Sequence, residues 1–337
     1  MQLRRAIRAR RFHLAVAGLA ALVMLAGASQ ARAADEDVKG WFVALDLAMT
    51  QPNSLDQSFA THIDQSATPF RDTRLVMDND SDMTYRASVG YGFGKGLGNL
   101  RVSYWSFDNG DEQTGNLPGG LYPSVFGYGY YGGAVYLFNA TGVTYQATSK
   151  VKARAYDLDY VRPISVGEKF SVQWLVGLRV ARYEEDQTVF GDNNTGVTDL
   201  ETKHFKSDAK GPRVGVTGVF GFGKHFSLDG SLAVSFLQAD SDGKATQTIN
   251  GTLDHVRGSS DDHIRGEIRD FDLKAVWAYG PLDYYVGYAA SEWDGLVTDP
   301  LPASNCCGGV NPGSRGRQTV GFNSVHGGVT FRFGKRH

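Results

Sequence analysis

Ten segments of this 337-residue chain alternate residue by residue between apolar and polar or small side chains. The closing one is representative: Val325, Gly327, Val329, Phe331 and Phe333 interleave with His326, Gly328, Thr330 and Arg332. A period of two is a β-strand with unlike faces. The same pattern runs through Trp41–Met49, Tyr85–Phe93, Leu100–Trp105, Ala155–Tyr160, Phe170–Val180, Arg213–Phe222, Phe226–Phe236, Asp270–Tyr279 and Asp283–Ser291. Such a chain folds as all-β. A soluble sandwich would turn the apolar face inward, and a membrane barrel would turn it out to lipid.

The connections decide between them. Four are short, at 94–99, 163–169, 223–225 and 280–282, and five are long and polar, at 51–83, 108–150, 184–210, 238–266 and 294–318. Long and short alternate without exception. The two ends of a sandwich are equivalent, so nothing in a sandwich demands this. A transmembrane antiparallel up-and-down β-barrel does, because its periplasmic turns are short and its external loops long. Ten strands place both chain ends on the periplasmic side. Twelve is the alternative, if 127–138 and 143–150 also cross rather than pair above the membrane. Trp41, Tyr91, Phe93, Phe222, Phe226, Trp277, Tyr279 and Tyr284 lie beside the short turns or ends, where an aromatic girdle belongs.

The beginning of the chain agrees with export. Residues 1–13 carry five arginines and no acid, Leu14–Gly27 is an apolar run too short to span, and Ala31-Arg32-Ala33 supplies a cleavage site. We therefore expect residues 1–33 to be a signal peptide and 34–337 one outer-membrane domain of a Gram-negative envelope. Removing the segment's six arginines takes the formal net charge from −2 to −8. An acidic chain without a basic stripe is no nucleic-acid binder. Mean hydropathy is −0.29, which a barrel tolerates because its two faces cancel. Cys306 and Cys307 are adjacent in a Gly/Pro-rich stretch and make no disulfide framework.

The charges on the polar faces are the candidate functional residues: Arg86, Arg101, Arg154, Arg179, Arg213 and Lys274 against Asp46, Asp157, Asp159, Asp229, Asp272 and Asp283. Enclosed charges must be paired or hydrated. Paired, they form a salt-bridged core; hydrated, they line a pore, narrow because ten strands sit nearer the filled end of the barrel series. The stretch His326, Gly328, Phe331, Phe333 has the form of a C-terminal targeting signal, which implies the barrel-assembly machinery and outer-membrane lipids as partners. The tail Gly334–His337 is a departure from that form. Oligomerisation is left open.

Other motifs carry less. Gly127-x-Gly129-x-x-Gly132 lacks the following helix that a dinucleotide site needs. Asp261, Asp262 and His263, with Asp78 and Asp80, invite a hydrolase reading, but exposed loop carboxylates are ordinarily solvated. Asn139, Asn193 and Asn250 open glycosylation-like triplets without meaning in this setting. HExxH, GxSxG and paired CxxC motifs are absent from the sequence, and we expect no enzyme, cofactor or metal.

One stretch resembles a known family. YDLDYVRPISVGEKFSVQWLVGLRVARYEED, residues 156–186 with Gly177-Leu178-Arg179 at its centre, is similar to the Legionella-type major outer-membrane proteins. GWFVALDLAMTQP (40–52) and the closing strand are similar too, so the resemblance covers about a third of the mature chain. It implies a barrel with a pore-forming role and supplies no catalytic residues. The expected function is a porin-like narrow channel for ions or small solutes. A barrel acting through its external loops is the alternative, and a barrel hydrolase the third.

Overall fold

The computed structural model describes residues 38–53, 58–64, 71–77, 80–94, 96–123, 137–165, 169–223, 225–298, 317–333 and 335–336. Residues 1–33, Asp78, Cys306 and Cys307 lie outside them. The strands are β1 (Val38–Asn53), β2 (Ser58–Asp64), β3 (Arg71–Val76), β4 (Asp82–Phe93), β5 (Asn99–Pro123), β6 (Leu137–Ser165) and β7 (Phe170–Asp192). They continue with β8 (Thr198–Gly221), β9 (Phe226–Ile249), β10 (Thr252–Tyr279), β11 (Leu282–Thr298), β12 (Arg317–Arg332) and β13 (Lys335–Arg336). All pairings are antiparallel, and each long strand pairs with its neighbour in sequence. The ring closes where β12 meets β1, with Val43 opposite Phe331, Leu45 opposite Val329 and Leu47 opposite Gly327. Leaving aside the β2–β3 hairpin and the short β13, ten strands form the barrel.

Twelve strands are excluded by the extent of β5 and β6. Residues 143–150 belong to β6 and pair with 110–117 of β5, as the upper half of one hairpin. The β2–β3 hairpin packs on the far end of β5. At the other end, Phe333 N–H donates to Trp41 C=O at 2.8 Å, and Lys335–Arg336 pair with Val38–Lys39. The tail therefore extends the closing strand.

The outward apolar band is short compared with the strands. On β7 it runs from Phe170 to Val180, a span that fits the 9–11 residues of a tilted transmembrane strand. Beyond Val180 the faces exchange character: Ala181, Tyr183 and Val189 point inward and are buried, while Arg182, Glu184 and Asp186 point out. The same reversal occurs on β8 and β9, where Phe205, Ala209, Leu237 and Ala239 fill the interior. The polar stretches 184–210 and 238–266 are thus largely strand, not loop. Water replaces lipid outside, so the wall turns polar outward and the interior packs as a soluble core.

Tight turns end these extensions. Asn250 and Gly251 carry φ of 49° and 76°, the left-handed pair that a two-residue Asn-Gly hairpin requires. At the β7–β8 turn, the Asn193 side-chain carbonyl accepts from the N–H groups of Thr195 and Val197, at 3.0 Å each.

Aromatic pairs mark both rims of the apolar band. Trp41–Tyr91, Phe220–Phe222 and Phe331–Phe333 meet near the short turns with ring centroids 5.3, 4.8 and 4.4 Å apart. Tyr85, Tyr104 and Tyr156 form a chain at the opposite rim, at 5.8 and 4.8 Å. The register is testable on β7. Val176→Arg, on the lipid face, should cost about 2–4 kcal/mol in urea unfolding from lipid vesicles. Changing Gln173, which lines the lumen, should cost far less. Equal costs would contradict the faces described here.

Candidate functional site

Within the apolar band the lumen is lined by charge. Every one of the candidate charges faces it except Arg154, which is even-numbered on β6 with the outward Tyr156 and Leu158. The inward residues around it on that strand are Val151, Ala153, Ala155, Asp157 and Asp159. Arg154 sits just beyond the upper tyrosines, where the wall has begun to turn polar outward, so membership of a charged row did not make it inward.

The inward charges form two groups that cross the lumen. In the first, Asp157 on β6 is the cross-strand neighbour of Arg179 on β7 and receives it bidentately, at 2.6 Å from Nε and 2.8 Å from Nη2. Arg179 Nη1 also reaches Asp270 Oδ2 on β10, 2.7 Å away. Arg213 on β8 donates to Asp159 at 2.6 Å and to Asp270 at 3.3 Å, and Arg101 on β5 donates to Asp159 at 3.0 Å. Asp270 accepts a further bond from Ser291 Oγ at 2.8 Å, and Trp293 Nε1 donates to that same hydroxyl at 3.0 Å. These pairs are enclosed: the side chains of Arg179, Arg213 and Asp159 are 6%, 10% and 0% exposed.

The second group is looser. Arg86 on β4 stands 3.7 Å from Asp272 on β10, and His326 on β12 lies between Asp272 at 3.4 Å and Asp46 at 3.7 Å. Lys274 lies 5.0 Å from the centre of the Tyr285 ring. Nearer the short turns, Arg332 Nε donates to Asp283 at 2.7 Å. Asp229 accepts from Ser227 Oγ at 2.8 Å and has no cation within ion-pair reach among the described residues. Two lumen glycines make room for these groups. A Cβ on Gly177 would lie 2.4 Å from Asp159 Oδ1, and one on Gly328 would lie 2.4 Å from Asp46 Oδ1.

A cavity of about 370 Å³ runs through this charged region, reaching Gly223, His225 and Ala278 at the short-turn end. Arg86, Arg101, Asp229, Lys274 and Arg332 line it. Its far end is an aromatic layer. Trp105 packs 5.4 Å from Phe322, Phe107 5.1 Å from Phe322 and Trp293 5.7 Å from Phe322. Phe107, Trp293 and Phe322 are 0–1% exposed. They belong to a continuous cluster with Tyr183, Phe205, Leu237, Ile268 and Leu296, and a second apolar cluster around Leu121, Val143 and Val189 lies beyond. Between the two, Lys203 meets Glu185 at 3.4 Å, and toward the Asn250 turn Gln247 donates to Asp199 at 2.9 Å. Burial, with Glu185 beside it, pushes the Tyr183 phenol well above its ordinary range, so it stays a donor to Glu185, 3.2 Å away.

Sequence reasoning missed Asp270 as the centre of the first group, though the alternation placed it inward. The targeting form of the closing strand accounts for His326 only in part, since the residue also occupies the second group. Of the acid/His set, Asp262 and His263 are exposed on β10, where His263 N–H donates to Asp240 Oδ1 at 3.1 Å, and Asp80 C=O accepts from Asn109 Nδ2 at 3.0 Å. Among the described residues no group of three or more His, Cys, Asp or Glu is placed to hold a metal.

A closed ten-stranded antiparallel barrel, apolar outward over one transmembrane band and charged within, defines an outer-membrane β-barrel protein. The chain belongs to the family described as Legionella pneumophila major outer membrane protein precursor, which matches residues 33–273. No curated protein matches the chain. Among solved structures it is similar to the outer membrane protease OmpT of Escherichia coli, at 11% identity and a TM-score of 0.50, covering 89% of this chain and 98% of that one. It is also similar to the outer membrane protein OprG of Pseudomonas aeruginosa, at 12% identity and a TM-score of 0.30, with the same coverages. At such identities the first likeness speaks to fold alone.

Proposed function

We propose that this protein is a gated, narrow pore for ions or small solutes, without enzymatic activity. The observation that carries the reading is the charged cavity crossing the transmembrane band. Arg101 Nε and Arg213 Nε in its lining, and Asp159 Oδ1 beside them, are buried without a hydrogen-bond partner among the described residues. Polar atoms so placed take water. A hydrated lumen below an apolar aromatic constriction is the arrangement of a pore that gates by dewetting. Arg86, Lys274 and Asp229, which are exposed to the cavity, would then bias ion choice. Arg179 and Arg213 are held by carboxylates and would not. Cleavage after Ala33 and delivery through the closing strand belong to the same proposal.

The depth of the aromatic layer favours a second reading, a permanently closed barrel that works through its extended outer hairpins. Planar-bilayer recording of the refolded protein separates the two. A gated pore gives brief, small openings in the natural protein and sustained ones in Trp105→Ala/Phe322→Ala, with Lys274→Gln shifting the reversal potential toward cations. Silence in both the natural protein and the widened variant would defeat the pore and leave the hairpins as the seat of function.

A further inference from the structure

Arg154, displaced from the lumen, lies in a setting of its own. It is the direct cross-strand neighbour of Arg182, and both face outward. Side chains so paired have Cβ atoms about 4.5–5.5 Å apart, and like charges at that distance repel. On the same face Lys152 is two residues along β6, and Lys210 is opposite Val180 on β8. Counter-charge is also present: Asp208 takes Arg182 at 2.5 Å and Lys206 at 2.8 Å, Asp108, opposite Lys152 on β5, meets Lys150 at 3.6 Å, and Glu184 is set between Lys152 and Lys206 in register. Lys206 and Arg182 hold the Asp208 carboxyl below the usual carboxylate range, against the upward push of partial burial. Lys152, Arg154 and Lys210 have no ion pair among the described residues.

Their height matters as much as their charge. On β6, β7 and β8 the continuous outward apolar band ends at Tyr156, Val180 and Pro212, and the next outward residues are Arg154, Arg182 and Lys210. The three cations therefore stand at the rim of the lipid belt, on the side of the long hairpins, directly above the Tyr104–Tyr156 ring pair. At this height outside an outer membrane the groups in reach are headgroups of the outer leaflet, whose glycolipid carries phosphates. Arginine pairs phosphate bidentately, and lysine adds point charge.

We propose that Lys152, Arg154, Arg182 and Lys210 form a binding site on the outer wall for the phosphate groups of the outer-leaflet glycolipid. The anion would relieve the Arg154–Arg182 repulsion and engage the unpaired cations, with the acyl chains lying along Leu158, Leu178 and Val214.

The test titrates bisphosphorylated lipid A into the full refolded protein in neutral detergent micelles, reading affinity by calorimetry. The double variant Arg154→Gln/Lys210→Gln should bind roughly 25-fold more weakly, at roughly fivefold per cation removed. Arg154→Lys should retain most of the affinity. Arg265→Gln, an exposed cation on β10, should change nothing. Dephosphorylated lipid A should bind the natural protein no better than lipid A binds the double variant. Heat-modifiable gel migration confirms folding of each variant. Equal affinity in the natural protein and the double variant would overturn the proposal. So would inorganic phosphate binding as tightly as lipid A, which would mark a loose anion site and not a lipid site.

Discussion

Asp270→Ala should weaken the barrel by about 3–5 kcal/mol, measured by urea unfolding in lipid vesicles. The carboxylate joins the guanidinium groups of Arg179 and Arg213 across the lumen, 2.7 and 3.3 Å away, and both arginines are nearly enclosed. Truncating it leaves two positive charges facing each other with one fewer counter-charge. It also frees Ser291 Oγ, and with it the hydroxyl that receives Trp293. The comparison that isolates the cause is Asp229→Ala, where the carboxylate lines the cavity, accepts from Ser227 and faces its cross-strand neighbour Lys274 beyond ion-pair distance. That variant should lose less than about 1 kcal/mol, within the range of a single solvated hydrogen bond. Similar losses at both positions would mean that the Asp270 cluster is as wet as the cavity.

The second large effect is expected at Trp293. Its indole is 1% exposed and touches Trp105 and Phe322 with centroids 6.1 and 5.7 Å apart. Trp293→Ala should cost about 3–5 kcal/mol, from lost burial and from a cavity that rigid strands cannot close. Trp277 is a control of equal chemistry: it lies on the outer wall at the lower rim, half exposed and stacked on Phe226 at 6.0 Å. Replacing it removes lipid contact without opening a void, and the cost should stay near 1 kcal/mol. If the two tryptophans cost the same, the interior above the charged region is not a packed core.

The spanning strands were legible because lipid imposes one rule on every outward position. Alternation at Phe170–Val180 identifies a wall, and short turns alternating with long connections identify the membrane side. What the composition of the long connections concealed is that they are wall as well. Their period is still two, but apolar and polar exchange faces after Val180. Segments such as Glu184–Asp192 therefore read as polar loops when scored by hydropathy. Asn250-Gly251 carried a hairpin signal that could have corrected this, had it been weighed as a turn and not only as part of a glycosylation-like triplet. Arg154 was misplaced for the same reason: near a point of reversal, charge alone does not say which side of the wall a residue occupies.

The pairings across the lumen lay beyond reach for a different reason. Alternation assigns a residue to a face but says nothing of which strands confront each other through the interior. Asp270 on β10 meets Arg179 on β7 only because closing ten tilted strands brings those walls together. Asp157 and Arg179, by contrast, are neighbours in a hairpin, and their contact follows from register.

The exchange of faces also sets the height at which the molecule floats. On β6, β7 and β8 the border falls between Tyr156 and Arg154, Val180 and Arg182, and Pro212 and Lys210. Sinking by one residue pair would draw Arg154, Arg182 and Lys210 into hydrocarbon, where each cation costs up to about 2–4 kcal/mol near the midplane and less toward the edge. Rising by one pair would lift Val180 and Tyr156 into water and pull Arg162 in from the opposite side. Penalties on both sides make a vertical well with its minimum at one depth. The covalent order of side chains along the wall thus acts as a waterline, drawn before any partner or loop is engaged.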